Sequence, residues 1–221
     1  MNKFSIAIDG PAGAGKSTIA KRLAKKLGCT YIDTGAMYRA VGLYCIWQHV
    51  DYRDEAKVEE VIFSLKIDLD TEGERQIIYL NGRDISQAIR TDEVAAAASK
   101  VATYKEVREV LVKAQRQMQS EKSVVMDGRD IGTVVMPDAT LKIFLTASVD
   151  ERAKRRFEEY CKRGLTVSMV ELTKDIMDRD YQDTHREISP LKKAIDAIEV
   201  DTTALSIDEI VDKIMILMEK A

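Results

Sequence analysis

Phe4-Ser5-Ile6-Ala7-Ile8-Asp9-Gly10-Pro11-Ala12-Gly13-Ala14-Gly15-Lys16-Ser17 joins an apolar run to a glycine-rich stretch that ends in a lysine and a hydroxyl. The run reads as a short strand, and residues 10–17 have the form G-x-x-x-x-G-K-S. A strand entering such a turn and then a helix is a P-loop. Its glycines let consecutive backbone N–H groups turn inward around phosphate oxygens, and the helix behind them adds its positive end. In that setting Lys16 supplies a mobile cation for the transferring phosphates and Ser17 offers its hydroxyl to Mg²⁺. The next stretch supports the helix. Ile19, Leu23 and Leu27 recur every four residues, Lys21, Arg22, Lys25 and Lys26 take the other faces, and Gly28 marks the end.

A chain of 221 residues suits one α/β domain carrying inserts. Its 34 Lys and Arg stand against 37 Asp and Glu, so no basic excess points to nucleic acid as the main partner. The apolar run before Asp9 is too short for a signal-peptide core, and nowhere do about 18 apolar residues run together. A cytoplasmic protein without a membrane partner is the expectation. Cys29, Cys45 and Cys161 are odd in number, form no C-x-x-C, and have only His49 and His185 as possible imidazole partners. They read as reduced structural residues.

Further along, residues 29–33 read as a strand and 36–47 as a helix. Residues 64–69 and 76–80 then alternate around a polar stretch, and Asn81-Gly82 follows as a turn signal. A local antiparallel sheet of two or three short strands fits an insert on a parallel-sheet protein better than a part of that sheet, and we bracket it at about 64–90. Helical pattern resumes at Val107, introduced by Thr103-Tyr104-Lys105-Glu106 in capping-box form, a form that recurs from Ser148, Ser168 and Ser206. Residues 123–127, 141–145 and 198–201 read as further strands, and the last helix is expected to place Ile207, Ile210, Val211, Ile214, Leu217 and Met218 on its buried side. Five parallel strands with crossover helices make a doubly wound α/β sheet, whose ligands sit at the carboxyl ends of the strands.

The chemistry-bearing residues fall at such ends. Asp127 closes a strand of β-branched residues, where a carboxylate reaches Mg²⁺ directly or through its waters, or else caps a turn. Arg129 and Asp130 follow at once, as cleft residues or as a surface ion pair. Thr34 and Arg39 occupy the equivalent place after the second strand, and the planar fork of Arg39 suits two phosphate oxygens. Arg152, Arg156 and Arg163 lie within about 40° of one another on a helical wheel, with Arg155 off to the side. They read either as a lid that neutralises phosphoryl charge or as a solvated face balanced by Glu151, Glu158 and Glu159. Arg179, Asp183 and Arg186 share one face if their helix persists that far, the plainer reading of the first two being an i,i+4 ion pair.

Gly10 to Ser17, Asp33-Thr34-Gly35-Ala36-Met37-Tyr38-Arg39, Asp127-Gly128-Arg129-Asp130-Ile131-Gly132-Thr133, and Arg179-Asp180-x-x-Asp183-x-x-Arg186 followed by Ser189-Pro190-Leu191 occur in order. Together they resemble bacterial-type cytidylate kinases, essentially end to end and including the insert. The resemblance implies a P-loop kinase fold: a five-stranded parallel sheet flanked by helices, with a small antiparallel β insert and an arginine-rich helical lid. Core segments 1–63, 91–150 and 184–221, a monophosphate-binding insert at 64–90 and a lid at 151–183 would follow. The implied reaction moves the γ-phosphoryl of Mg-ATP to CMP or dCMP, giving CDP or dCDP, in a monomer.

Carried over position by position, the resemblance places Gly10, Pro11, Ala12, Gly13, Ala14, Gly15, Lys16, Ser17 and Thr18 on the ATP phosphates. Ser17 and Asp127 would face Mg²⁺, while Arg152, Arg156 and Arg163 would close over ATP. Arg39, Arg129 and Arg186 would meet the CMP phosphate and Thr34 would bind the substrate, with Lys16, Arg129 and Arg186 offsetting charge as the phosphoryl group moves. Thr34 stands where many members have serine and keeps the hydroxyl. Ser99, Arg108 and Asp130 would read the cytosine, and Arg179 and Asp183 the sugar hydroxyls. Asp130 has a physical rationale, since a carboxylate accepts from the exocyclic amine of cytosine and repels the carbonyl oxygen that replaces it in uracil. Adenylate, shikimate and dephospho-coenzyme A kinases share the P-loop and arginine lid but are separated by Arg108, Asp130 and Asp183. A nucleotide-dependent switch finds no N-K-x-D guanine-reading segment here.

Overall fold

The computed structural model describes residues 3–72 and 75–220. Strand β1 (Ser5–Asp9) leads through the glycine-rich turn into α1 (Lys16–Leu27), and β2 (Thr30–Asp33) leads into α2 (Thr34–Trp47). After α3 (Glu55–Ile62) come the strands β3 (Ile67–Glu72), β4 (Arg75–Leu80) and β5 (Arg83–Asp84). Helices α4 (Asp92–Val101) and α5 (Lys105–Glu121) return the chain to β6 (Val124–Gly128). The remainder is β7 (Leu141–Thr146), the helical pair α6 (Val149–Lys162) and α7 (Met169–His185), then β8 (Ile198–Asp201) and α8 (Ile207–Met218).

The main sheet has the order β2-β6-β1-β7-β8, all parallel, with β1 at its centre. Every residue of β1 and β6 is buried, as a sheet covered on both faces requires. Alternation along β1 divides the core. Ile6 and Ile8 pack with Ile19, Leu23, Val211 and Ile214 from α1 and α8, whereas Ala7 joins Ile32, Met126, Ile131 and Val135 on the other face. No helix among the described residues is long and apolar enough to cross a membrane.

The antiparallel insert forms a separate sheet of order β3-β4-β5, inside the bracket expected from the sequence. Asn81 (φ 51°) and Gly82 (φ 81°) both take the left-handed backbone that a two-residue hairpin turn needs. Ile78, Leu80 and Ile85 bury against Ala36, Ala40 and Leu43 of α2. Gln76 of β4 also reaches the open edge of β2, donating to the Tyr31 carbonyl at 2.6 Å and accepting from the Asp33 N–H at 3.3 Å.

Several expectations shift. α2 begins at Thr34 rather than Ala36, because the Asp33 carboxylate accepts from the Ala36 N–H at 2.9 Å and caps it. α3 and α4 have no counterpart in the sequence reading. The caps at Ser148, Ser168 and Ser206 form, with the full reciprocal box at Ser206. That at Thr103 does not form. Its hydroxyl turns back to the Lys100 carbonyl at 2.7 Å, an acceptor the Thr103 N–H also uses at 3.0 Å, and Tyr104 precedes α5 without a side-chain cap.

Candidate active site

A cleft of about 1260 Å³ opens at the carboxyl ends of β1, β2 and β6, between the insert and the α6–α7 pair. Its floor is the P-loop. Gly10 adopts φ 148°, and a Cβ there would lie 2.1 Å from the Leu145 carbonyl oxygen, so the turn leaves the sheet only through glycine. α1 begins at Lys16 with no side chain capping it, leaving its first N–H groups for a ligand. The Lys16 ammonium donates to the Pro11 carbonyl at 2.7 Å, and burial, with Arg129 nearby, lowers its pKa to about 7.

Beside it, the Asp127 carboxylate accepts from the Ser17 hydroxyl at 2.9 Å and from the Tyr31 phenol at 2.7 Å. Burial, and then Asp33, raise the Asp127 pKa to about 6. Thr34 donates to the backbone carbonyl of Asp127 at 2.7 Å, which ties the start of α2 to the end of β6.

Opposite the P-loop the cleft is lined by arginines. Arg39 pairs with Asp33 at 3.0 Å, and the Arg129 Nε with Asp183 at 2.7 Å. Burial opposes the Asp183 charge, yet Arg129 and Arg179 hold its pKa below the usual carboxylate value. Asp183 therefore pairs across the cleft with Arg129, and not along its helix with Arg179. Arg179 keeps a buried Nε without a hydrogen-bond partner among the described residues, and burial followed by Arg129 lowers its pKa to about 10. Deeper still, Arg108 pairs with Asp130, their side chains 3% and 6% exposed, and Arg186 lies 3.8 Å from the other Asp130 oxygen. Ser99 on α4 bonds to Gln182 of α7 at 3.1 Å.

The P-loop from Ala12 to Thr18, and Thr34, Arg39, Ser99, Arg108, Asp127, Arg129, Asp130, Arg156, Arg163, Arg179, Asp183 and Arg186, thus line one cleft. Arg152 does not. It is 4% exposed and donates to Asp180 at 3.0 and 2.6 Å, to the Ala147 carbonyl at 3.0 Å and to the P-loop carbonyl of Ala12 at 3.1 Å. Placed on ATP by the resemblance, it instead fastens α7 and the base of α6 to the P-loop. Its neighbour Arg155, set aside on the wheel, lines the cleft and donates to the Thr202 carbonyl at 2.6 Å. Arg156 and Arg163 flank the Tyr160 ring, whose hydroxyl donates to Asp92 at the start of α4.

Sequence reasoning gave no role to Tyr31, Tyr38 or Asp9. Tyr38 lines the cleft with its ring 5.6 Å from the Arg108 guanidinium, and its buried hydroxyl has no hydrogen-bond partner among the described residues.

The family model described as cytidylate kinase matches residues 6–220. The chain belongs to the cytidylate kinase family. It is 53% identical over 217 residues to a cytidylate kinase of Lactobacillus gasseri, covering 98% of this chain and 94% of that one. A cytidylate kinase of Bacillus subtilis is 52% identical over 218 residues, covering 99% and 97%. Among solved structures, a gluconokinase from Sinorhizobium meliloti aligns with a TM-score of 0.51 at 16% identity, covering 99% of this chain and 94% of that one. A shikimate kinase from Bacteroides thetaiotaomicron aligns with a TM-score of 0.50 at 15% identity, covering 98% of each. These two likenesses concern the fold: a parallel sheet flanked by helices, as in other P-loop kinases. Family membership makes the chain a nucleoside-monophosphate kinase whose substrates are small nucleotides.

Proposed function

We infer that this protein moves the γ-phosphoryl of ATP to CMP or dCMP, giving CDP or dCDP and ADP. One observation carries the reading within the family. A single cleft joins a P-loop to a separate arginine cluster, and a buried Arg108–Asp130 pair closes the far side of that cluster. The first suits a donor phosphate chain, the second an acceptor phosphate, and the third a base with an amine to donate.

In this reading the P-loop amides from Ala12 to Thr18 and the Lys16 ammonium hold the donor phosphates. Phosphate charge beside Lys16 restores the protonated form that burial disfavours. Arg39, Arg129 and Arg186, with Thr34, hold the acceptor phosphate and offset charge as it moves. Asp130 accepts from the cytosine amine while Arg108 holds the carboxylate in place, Ser99 borders the base, and Arg179 and Asp183 take the sugar hydroxyls. The acceptor oxygen is already an anion, so the site needs no strong base. Catalysis rests on alignment and charge stabilisation.

The end of β6 fits Mg²⁺. Ser17 and Asp127 offer two oxygen ligands side by side, and a cation there would restore the Asp127 charge that burial suppresses. Among the described residues no cluster of three or more His, Cys, Asp or Glu could cage a metal, which agrees with an ion that keeps waters and phosphate oxygens. Bound there, Mg²⁺ would neutralise phosphate charge.

The core segments 1–63, 91–150 and 184–221 carry the sheet, while the insert at 64–90 and the lid at 151–183, with Arg155, Arg156 and Arg163, close inward to exclude water. A monomer acting in the cytoplasm on free nucleotides, with neither nucleic acid nor membrane as partner, completes the proposal. Incubation with CMP and ATP labelled at its γ-phosphate tests it. The label should appear in CDP, and label in inorganic phosphate alone would refute the reading.

A further inference from the structure

Asp9 is the last residue of β1 and immediately precedes Gly10. It is 5% exposed, and no Lys, Arg or His among the described residues forms an ion pair with it. Its two oxygens are instead divided between consecutive backbone donors. Oδ1 accepts from the Ile131 N–H at 2.8 Å and Oδ2 from the Gly132 N–H at 2.7 Å. These N–H groups open the π-helical turn Ile131–Val135, in which the Asp130 carbonyl serves Val134 and Val135 and leaves the first donors unfilled. The residues just before this turn are Arg129 and Asp130.

We propose that Asp9 is a positioning residue that sets the Arg129–Asp130 turn on the P-loop, and so fixes the gap that the phosphoryl group crosses. A buried carboxylate without an ion-pair partner, with Lys16 only a minor charge neighbour, is a costly way to fill a turn if the fold alone is served. Its particular contribution is two acceptor oxygens on one rigid carbon, aimed at two adjacent N–H groups. Asparagine presents one acceptor and sets an amide donor against the other N–H. Glutamate keeps both acceptors but moves them by one methylene. Backbone pairing holds Asp9 beside Gly128, so a side chain of the wrong length shifts the turn rather than the strand. Burial is the main reason the Asp9 carboxyl is raised to about 6, and the Gly132 and Ile131 N–H groups pull it back down.

The inference rests on the reading that Arg129 and Asp130 serve the acceptor. Its test compares D9N and D9E with the unsubstituted enzyme for kcat, KM for ATP and KM for CMP, with melting curves and D130N run alongside. Misplacement by about 1 Å costs on the order of 100-fold. Both variants should therefore lose about 30-fold or more in kcat with CMP while KM for ATP stays within about threefold. Activity of D9N near that of the unsubstituted enzyme would overturn the proposal. So would a loss in D9N that D9E restores, since charge and not position would then be at work. A KM for ATP that rises as much as kcat falls would place the effect in the P-loop and overturn it as well. If both variants are unfolded at the assay temperature, Asp9 serves the fold alone and the proposal fails. D130N reports separately on the underlying reading: an unchanged preference for CMP over UMP would refute that reading whatever the Asp9 variants do.

Discussion

Replacing Asp130 by asparagine changes almost no volume and removes one charge from the deepest part of the cleft. One Asp130 oxygen accepts from Arg108, the other lies 3.8 Å from Arg186, and the side chains of all three are at most 6% exposed. D130N leaves two buried guanidinium groups facing each other without a counter-charge. Breaking a buried pair costs about 3–5 kcal/mol, and the asparagine carbonyl can still accept from Arg108, so the low end, about 3 kcal/mol, applies. In a chain of this length about 3 kcal/mol corresponds to a melting-temperature fall of roughly 6–12 °C. Selectivity should shift as well. A charge-assisted hydrogen bond to the cytosine amine becomes a neutral one, losing about 1 kcal/mol, while the new amide can donate to the uracil carbonyl and gain about as much. The ratio of kcat/KM for CMP to that for UMP should then drop by about 30-fold. The assay is steady-state turnover at saturating ATP, well below the variant's melting temperature. An unchanged ratio alongside the expected thermal destabilisation would make Asp130 a structural partner of Arg108 and refute base reading by this carboxylate.

K16M should lower turnover by about 1000-fold or more, because a cation aimed at developing phosphoryl charge is lost. The same variant should melt at a higher temperature, since it removes an ammonium whose burial holds its pKa at about 7. R152A strands Asp180 and two backbone carbonyls and should cost about 3–5 kcal/mol in urea denaturation. Its KM for ATP, measured well below its melting temperature, should rise less than that of R155A, because Arg155 lines the cleft and Arg152 does not. The folded Asp9 carboxyl sits at about 6, above its usual value of 3.8, so the folded state holds the proton more tightly than the unfolded state. The Asp9 contribution to stability is therefore fully present below pH ~4 and falls by about 3 kcal/mol as pH rises to ~6. Urea unfolding of D9N at pH 5 and pH 7 should lack that component of the unsubstituted protein's pH dependence.

The parallel sheet was legible because its strands are short apolar runs ending in Asp9, Asp33 and Asp127, and the P-loop because its glycines have a steric reason to be there. α4 escaped notice for the opposite reason. Its buried stripe of Val94, Ala97, Ala98 and Val101 rests partly on alanines that a hydrophobic pattern hardly registers, and those small residues let α4 approach α2 closely, a Cβ on Gly42 lying only 3.0 Å from the Ala97 Cβ. α3 is eight residues long and buries only Val58 and Ile62, too few to announce a helix. The wheel put Arg152 with Arg156 and Arg163, but a wheel carries no information about where α7 docks. Asp180 arrives from α7 to claim Arg152, and Arg155 is left on the cleft. Thr103 had the spacing of a cap, yet the neighbouring end of α4 offered its hydroxyl a nearer acceptor. The Asp9 bonds join residues 122 and 123 positions apart, a juxtaposition made only by the sheet.

Production of ADP by the purified protein, with Mg-ATP and in turn CMP, dCMP, UMP, AMP, shikimate, dephospho-coenzyme A or no acceptor, tests the central claim most directly. Fast turnover confined to CMP and dCMP, with slow hydrolysis in the absence of acceptor, is the expected result. Fast turnover with a different acceptor would keep the fold and overturn the substrate, and acceptor-independent hydrolysis at a comparable rate would contradict phosphoryl transfer to a nucleotide altogether.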